Sequence, residues 1–148
     1  MRIFLLLLAV AAGAMLPIQA TLNAKMAKFA ASPVLAALLS FATGTVALIL
    51  YALFTQPNII TQLTSTRQAP IYIWLAGIIG AFYVVGSVSL LPQLGVALTF
   101  SLIIAGQMLV TLVLDHYGLL GVPVKTINLP RLIGILLIIG GVILIRKF

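Results

Sequence analysis

The chain has 148 residues, of which 64% are hydrophobic and only 6% are charged. A soluble domain carries about a quarter charged residues and would otherwise expose large apolar patches, so this composition excludes a soluble globular fold and indicates an integral membrane protein. The formal net charge of +7 does not indicate nucleic-acid binding, because the eight basic residues stand singly or in pairs between long apolar runs and form no basic face.

The first apolar run predicts a transmembrane helix over residues 3–22, since a hydrocarbon core about 30 Å thick needs about 20 residues of helix. A cleaved signal peptide is the alternative, because the run has a basic start and contains small residues. Its length favours a full span. The second predicted span, residues 34–53, follows Ser32 and Pro33, a capping residue and a proline suited to the first helical turn.

Three further spans are predicted in the second half of the chain, over residues 71–91, 96–117 and 131–145. The third closes at Pro92, and the fifth begins after Pro130. The fifth is the shortest, so Arg131 and Arg146 at its ends are expected to extend to the lipid headgroups. The connections between the spans are short and polar. The sequence therefore predicts a single all-α transmembrane domain of five helices over residues 1–148.

Five spans would place the two termini on opposite sides of the membrane and would divide the basic residues equally. Four would lie on each side, with Arg2, Arg67, Lys125 and Arg131 facing one way and Lys25, Lys28, Arg146 and Lys147 the other. Orientation follows the difference in Lys and Arg between the sides, and here that difference is zero. We therefore expect insertion in both orientations, so that two copies form an inverted five-plus-five bundle. The alternative is one orientation set by another signal, such as the N-terminal amine.

Polar residues inside the predicted spans are candidates for a substrate path at the interface of the two inverted halves: Gln19, Asn23, Tyr83, Ser87, Gln107 and Thr111. They occur as i, i+4 pairs on helices 1, 3 and 4, so each pair shares one helix face. Intramembrane polar groups need a partner or an aqueous cavity. Hydrogen bonding between helices is the alternative and is favoured for Ser87 and Thr111. The cavity is favoured for Gln19 and Gln107, because amides are costly to bury.

The only acidic residue, Asp115, and the only histidine, His116, are adjacent at the predicted end of the fourth span. Neighbouring helical residues do not face each other, so the two do not form a catalytic dyad. One interpretation, which we favour, is an ion pair between the acid and a basic loop residue that fixes the end of the helix. The other is a gate or proton-sensing pair at one mouth of the path.

Several segments resemble the YdcZ family of inner-membrane exporters in the drug/metabolite transporter superfamily: PIQATLNAKMAKF, SPVLAALLSFATGT, GAFYVVGSVSLLPQLGVALTFSLIIAGQMLVTLVLDHYGLLG and RLIGILLIIGGVIL. PIQA…N, the GQ pair and DH-[FY]-G are the more specific markers. The resemblance covers nearly the whole chain. It implies five spans in a bacterial inner membrane, forming one half of an inverted bundle of the kind found in this superfamily.

The last helix also resembles the dimerisation helix of small multidrug resistance transporters. This resemblance implies a dimer seam at Gly134, Gly140 and Gly141, with ordinary packing inside one chain as the alternative. Those transporters couple to protons through a glutamate in helix 1, whereas helix 1 of this chain has no acidic residue.

Together, the residues and the resemblance predict a small-molecule exporter that acts as an antiparallel homodimer in the lipid bilayer. A passive channel of dual topology and a non-transporting scaffold subunit are the alternatives. An enzyme is the weakest alternative, because no nucleophile–base pair, phosphate loop or metal-ligand set is present. No cofactor or metal is expected, and the absence of cysteine excludes disulfides.

Overall fold

The computed structural model describes all 148 residues, and its regular secondary structure consists of helices with no strands. The five α-helices are α1 (Arg2–Ala30), α2 (Pro33–Thr55), α3 (Ile59–Ser65), α4 (Leu75–Tyr117) and α5 (Leu129–Lys147). All except the short α3 are long and apolar enough to cross a membrane. Short 3-10 helices lie at Thr66–Gln68, Ile71–Trp74 and Leu119–Gly121. The predicted all-α membrane class is confirmed.

Helix α1 is longer than the first predicted span, because it continues past Leu22 to Ala30. The added residues include Lys25 and Lys28 but no Gly or Pro, and Ala, Met and Lys all favour helix. The backbone therefore stays helical where the chain ceases to be apolar. Helix α5 also extends beyond the predicted residues 131–145 at both ends.

A two-residue turn joins α1 to α2 and allows them to pack against each other. Ala31 ends α1 in the left-handed conformation, at φ 52°. Ser32 then caps α2, as its Oγ accepts a hydrogen bond from the Leu35 N–H at 3.2 Å, and Pro33 occupies the first turn. The capping residues predicted from the sequence are thus in place, and they set the start of the second helix.

The chain divides into two compact units, Met1–Pro92 and Gln93–Phe148. The core of the first unit consists of Ala37 from α2 with Val84 and Val88 from α4. Ala24 and Ala27 of α1 pack against this cluster. Small side chains let helix backbones approach closely, which is the usual basis of helix packing in membranes.

Helix α4 is interrupted where the sequence predicts the boundary between the third and fourth spans. It has 43 residues, about twice the number that a single membrane span needs. Pro92 lies inside it, and Gly95 has the non-helical angles φ 75° and ψ 167°. This conformation is essentially restricted to glycine. Two helical segments therefore meet at residues 92–95.

The second unit contains the later segment of α4, the connection that follows it, and α5. Gly118 ends α4 in the left-handed region at φ 60°, and a Cβ at this position would lie 2.7 Å from a methyl of Val124. Asn128 caps α5, because its Oδ1 accepts from the Arg131 N–H at 3.0 Å. The buried residues of α5, Ile135 and Val142, are seven apart and share one face.

Candidate functional site

A pocket of about 460 Å³ lies between α1 and α2. Its volume is within the range of small-molecule sites, about 300–1,000 Å³. Its lining is mostly apolar but includes four polar side chains: Gln19, Asn23, Ser40 and Thr43. A second pocket of about 240 Å³ shares Gln19 and Ser40 with the first and continues along α2 to Leu48. The two pockets form a groove along the α1–α2 pair.

Helical periodicity brings the pocket residues onto facing stripes. The α1 side is formed by residues three or four apart, from Met15 through Gln19 to Asn23 and Met26. Pro17 lies within this stretch, and because proline has no N–H the helix loses one hydrogen bond there. The Thr21 hydroxyl donates to the Pro17 carbonyl oxygen at 2.7 Å. The pocket thus lies beside a weakened turn of α1.

Asn23 has the most constrained polar side chain in the pocket. It is only 8% exposed, and its buried Nδ2 has no hydrogen-bond partner. An unsatisfied buried amide of this kind costs about 1–3 kcal/mol. One turn earlier, Gln19 is exposed on the helix surface, where hydrocarbon would offer its amide no partner. A bound molecule or a second chain that supplies hydrogen-bonding groups would stabilise both side chains.

Tyr83 and Ser87 do not line this pocket. Tyr83 packs against the core cluster of the first unit, and its buried hydroxyl has no partner. Ser87 is buried, and its Oγ donates to the Val84 carbonyl oxygen of its own helix at 2.9 Å. Ser87 is therefore buried with its hydroxyl bonded inside its own helix, whereas the favoured interpretation expected a bond to a neighbouring helix.

Gln107 and Thr111 belong to the second unit. The Thr111 hydroxyl donates to the Gln107 carbonyl oxygen at 2.7 Å, and the Gln107 side chain is exposed. Thr111 lines a separate pocket of about 280 Å³ between α4 and α5, together with Asp115 and Arg131. Of the six candidate path residues, the pocket between α1 and α2 brings together only Gln19 and Asn23.

Asp115 forms an ion pair with Arg131, with 3.2 Å between Oδ2 and Nη2. Arg131 also donates from Nη1 to the Lys125 carbonyl oxygen at 3.0 Å, and the Lys125 N–H donates to the Asp115 carbonyl oxygen at 2.8 Å. That Arg131 extends to the lipid headgroups stays a prediction, and the structure adds that its guanidinium is paired with Asp115. The Asn128 cap positions Arg131 at the start of α5, within reach of the only carboxylate side chain in the protein.

His116 contacts the same connection through a different atom. Its Nδ1 accepts a hydrogen bond from the Ile127 N–H at 3.2 Å, and its ring packs edge-on against Tyr117, with 4.7 Å between the ring centroids. Asp115 and His116 together hold residues 125–131 against the end of α4. The gate interpretation of these residues stays a prediction.

The three glycines of the predicted dimer seam have space around them. Gly134 lines the pocket of the second unit. A Cβ added at Gly134, Gly140 or Gly141 would meet no neighbouring atom within 4 Å. Close packing within one chain therefore does not explain these glycines, and the dimer seam stays a prediction.

Ser40 and Thr43, which are not among the path residues predicted from the sequence, also line the pocket beside Asn23. They share a face of α2 with Ala36. The spacing of three or four residues that indicates the path residues on the other helices therefore also indicates these two. In addition, Arg131 was not identified as the partner of Asp115, because sixteen positions separate the two along the chain.

Long apolar helices that carry amide side chains within their spans define a multi-pass membrane protein. A family model described as "Putative inner membrane exporter, YdcZ" matches residues 4–144. The chain belongs to this family, as its resemblance predicted, and is a multi-pass inner-membrane protein. The family description is that of an exporter and not of an enzyme.

The curated protein "Inner membrane protein YdcZ" of Escherichia coli (strain K12) is 28% identical over 139 residues, which cover 93% of this chain and 92% of that protein. No solved structure matches the chain.

Proposed function

We propose that the protein is a small-molecule exporter that works as an antiparallel homodimer. The observation that carries this proposal is the pocket between α1 and α2, where the Gln19 and Asn23 amides adjoin about 460 Å³ of space on apolar, span-length helices. Polar groups at such a position mark substrate paths, because hydrocarbon cannot satisfy them. The family description as an inner-membrane exporter supports the same class of function.

Five membrane crossings are part of this proposal. Helix α4 is long enough to cross twice, and Pro92 and Gly95 interrupt it near its middle. An odd number of crossings places the termini on opposite sides and divides the eight basic residues into four and four. Without a charge difference to select an orientation, both occur, and two oppositely inserted copies form the inverted bundle.

The mechanism that follows is alternating access around a pocket at the dimer interface. Substrate binds beside Gln19 and Asn23, and the two inverted copies exchange conformations, so that the pocket opens first to one side and then to the other. Exposed glutamines on each copy, Gln19 and Gln107, obtain hydrogen-bonding partners from the opposite copy or from the substrate.

The test is flux through purified protein in liposomes, with solutes selected by their thermal stabilisation of the protein. An exporter of this type gives saturable flux that is accelerated by substrate on the opposite side. Gln19→Leu should reduce that flux by about tenfold or more, because leucine is an apolar side chain of similar size that cannot hydrogen-bond. Gln62→Leu, the same change on the exposed surface of α3, is the matched control and should have no effect.

Two results would overturn the proposal. Flux that rises linearly with concentration and shows no exchange would indicate a passive channel. Absence of flux for every stabilising solute, combined with loss of function on changes in the glycines of α5, would indicate a scaffold subunit.

A further inference from the structure

We propose that the pocket between α1 and α2 selects uncharged molecules that have an apolar body and a hydrogen-bond acceptor, such as an amide or ketone oxygen. The inference rests on the proposed function in so far as this pocket is taken to be the transport site. It names the chemical class of the substrate, which the exporter proposal leaves open.

The lining of the pocket contains no Asp, Glu, Lys, Arg or His. The basic residues of α1 near this level, Lys25 and Lys28, are exposed and lie outside the lining. An ion that enters an apolar pocket without a counter-charge loses its hydration and receives nothing equivalent in return. Cations and anions are therefore both disfavoured.

A second copy of the chain would not supply a free counter-charge for a cation. The chain has one acidic residue, Asp115, and its carboxylate is already paired with Arg131 at 3.2 Å. An identical partner has the same single acid in the same ion pair. The pocket therefore stays without a free carboxylate in the homodimer.

The hydrogen bonds already made in the pocket determine what is left for a ligand. The Thr43 hydroxyl donates to the carbonyl oxygens of Leu39 and Ser40, both at 3.0 Å, so its proton is in use. The Asn23 Nδ2 has no partner and is covered by protein atoms, so it becomes a donor to a ligand when rotation of the side chain turns the amide toward the pocket. A ligand that offers an acceptor oxygen to this amide satisfies a buried group that is otherwise unpaired.

The apolar part of the lining favours tolerance of shape. Met15 and Met26 flank the polar residues on α1, with Ile18 and Leu22 between them. Methionine is unbranched and adapts to irregular ligands, as it does on other promiscuous binding surfaces. The pocket therefore discriminates by charge more strongly than by shape.

The test uses three probes with the same ring system: 1-naphthylacetamide, 1-naphthylacetate and 1-naphthylmethylammonium. Each is titrated against the full chain in phosphatidylcholine nanodiscs, with protein-free nanodiscs as the blank, and binding is measured by equilibrium dialysis. We expect the amide to bind at least about tenfold more tightly than either ion, since only the ions lose hydration without a counter-charge. Equal or tighter binding of either ion would overturn the inference.

Asn23→Asp tests the site directly, because it changes one amide into a carboxylate of the same shape. The ammonium probe should then bind more tightly than the amide probe, by about tenfold. Asn58→Asp, on an exposed residue before α3, makes the same change in net charge and should keep the wild-type order. If Asn23→Asp does not fold, Gln19→Glu on the exposed surface of α1 serves the same purpose. An unchanged order in a folded pocket variant would place the binding elsewhere.

Binding and flux separate this inference from the proposed function. Saturable flux of an ion probe, with tighter binding of that ion than of the amide, would refute the uncharged class and leave the exporter in place. Tighter binding of the amide than of either ion, with no saturable flux of any stabilising solute, would support the uncharged ligand class and refute the exporter function.

Discussion

The ion pair between Asp115 and Arg131 joins the ends of two helices. Each of the two charges would be unfavourable at its own helix end without the other. Asp115 lies near the C-terminus of α4 and Arg131 near the N-terminus of α5, so each charge has the sign that the helix dipole disfavours at that end. Pairing offsets both effects. Because the side chains are 25% and 32% exposed, respectively, the pair contributes about 1 kcal/mol or less to stability, and its main effect is on position.

We expect Asp115→Asn to impair transport only partly, by several-fold. Arg131 still donates to the Lys125 carbonyl oxygen, and the Lys125 N–H still donates to the backbone of residue 115, so the connection keeps much of its geometry. The measurement compares downhill exchange with uptake driven by a pH gradient in liposomes. Loss of the driven mode with exchange intact would contradict this prediction and identify Asp115 as the proton-coupling residue, because an amide keeps the shape but cannot titrate.

At Gln107 the prediction concerns a side chain that is exposed on a span-length helix. Gln107→Leu should leave expression and the dimer population unchanged but lower exchange by about tenfold or more, since leucine removes both donor and acceptor. The measurement is substrate exchange in liposomes beside cross-linking in the membrane. Wild-type exchange by the variant would assign Gln107 to hydrogen bonding between helices.

Among the helices, α4 depends most on a single backbone conformation. At Gly95 a Cβ would meet no atom within 4 Å, so the requirement for glycine comes from the φ and ψ angles alone. This differs from Gly118, where the left-handed angle is combined with an approach of 2.7 Å to Val124. The break in α4 is therefore a property of the local backbone.

Gly95→Ala should lower the free energy of unfolding by about 1–3 kcal/mol, the usual cost of such backbone strain. Gly106→Ala is the matched control, because Gly106 is helical in the same α4 and also has open space around it. Gly106→Ala should raise the free energy of unfolding by about 0.5–1 kcal/mol, because alanine favours helix over glycine. Both are measured by unfolding in mixed micelles. Equal stability of the two variants would show that the break tolerates an ordinary residue.

For α5 we expect Gly140→Leu or Gly141→Leu to increase the monomer fraction, because bulk at these positions prevents close approach of a second helix. Cross-linking in membranes or mass measurement in detergent gives the populations. Gly13→Leu on α1, where the surroundings are equally open, is the control and should leave the dimer unchanged. An unaltered dimer population in the α5 variants would remove these glycines from the interface.

The molecule as a whole buries few side chains and leaves most of its large apolar residues exposed. The fully buried set is dominated by small residues and valine, so the core alone does little to hold the helices together. The apolar helix surfaces are instead suited to contact with lipid. Orientation in the membrane then becomes a property of the complete chain and its charges.

We expect reporters fused to the C-terminus to be active on both sides of the membrane in similar amounts. The double variant Lys25→Gln, Lys28→Gln leaves four basic residues on the side of the N-terminus and two on the other, so the N-terminal side should become cytoplasmic. The double variant Arg2→Gln, Arg67→Gln should give the opposite orientation. Activity of the wild type on one side only would exclude dual topology.

Local features were predictable from the sequence, because they depend on residues close together in the chain. These include the membrane class, the cap at Ser32, and the interruption of α4 at Pro92 and Gly95. The end of α1 was less predictable, since hydropathy reports where apolar residues stop and not where helical hydrogen bonding stops.

The pocket and the ion pair were decided by the packing of helices. Asn23 lies beside Ser40 and Thr43 only because α1 and α2 pack as an antiparallel pair after the turn at Ala31. Asp115 meets Arg131 only because the connection after Tyr117 returns the chain to the end of α4. Periodicity indicates which residues share a face of one helix, but it contains no information about which face of another helix will cover them.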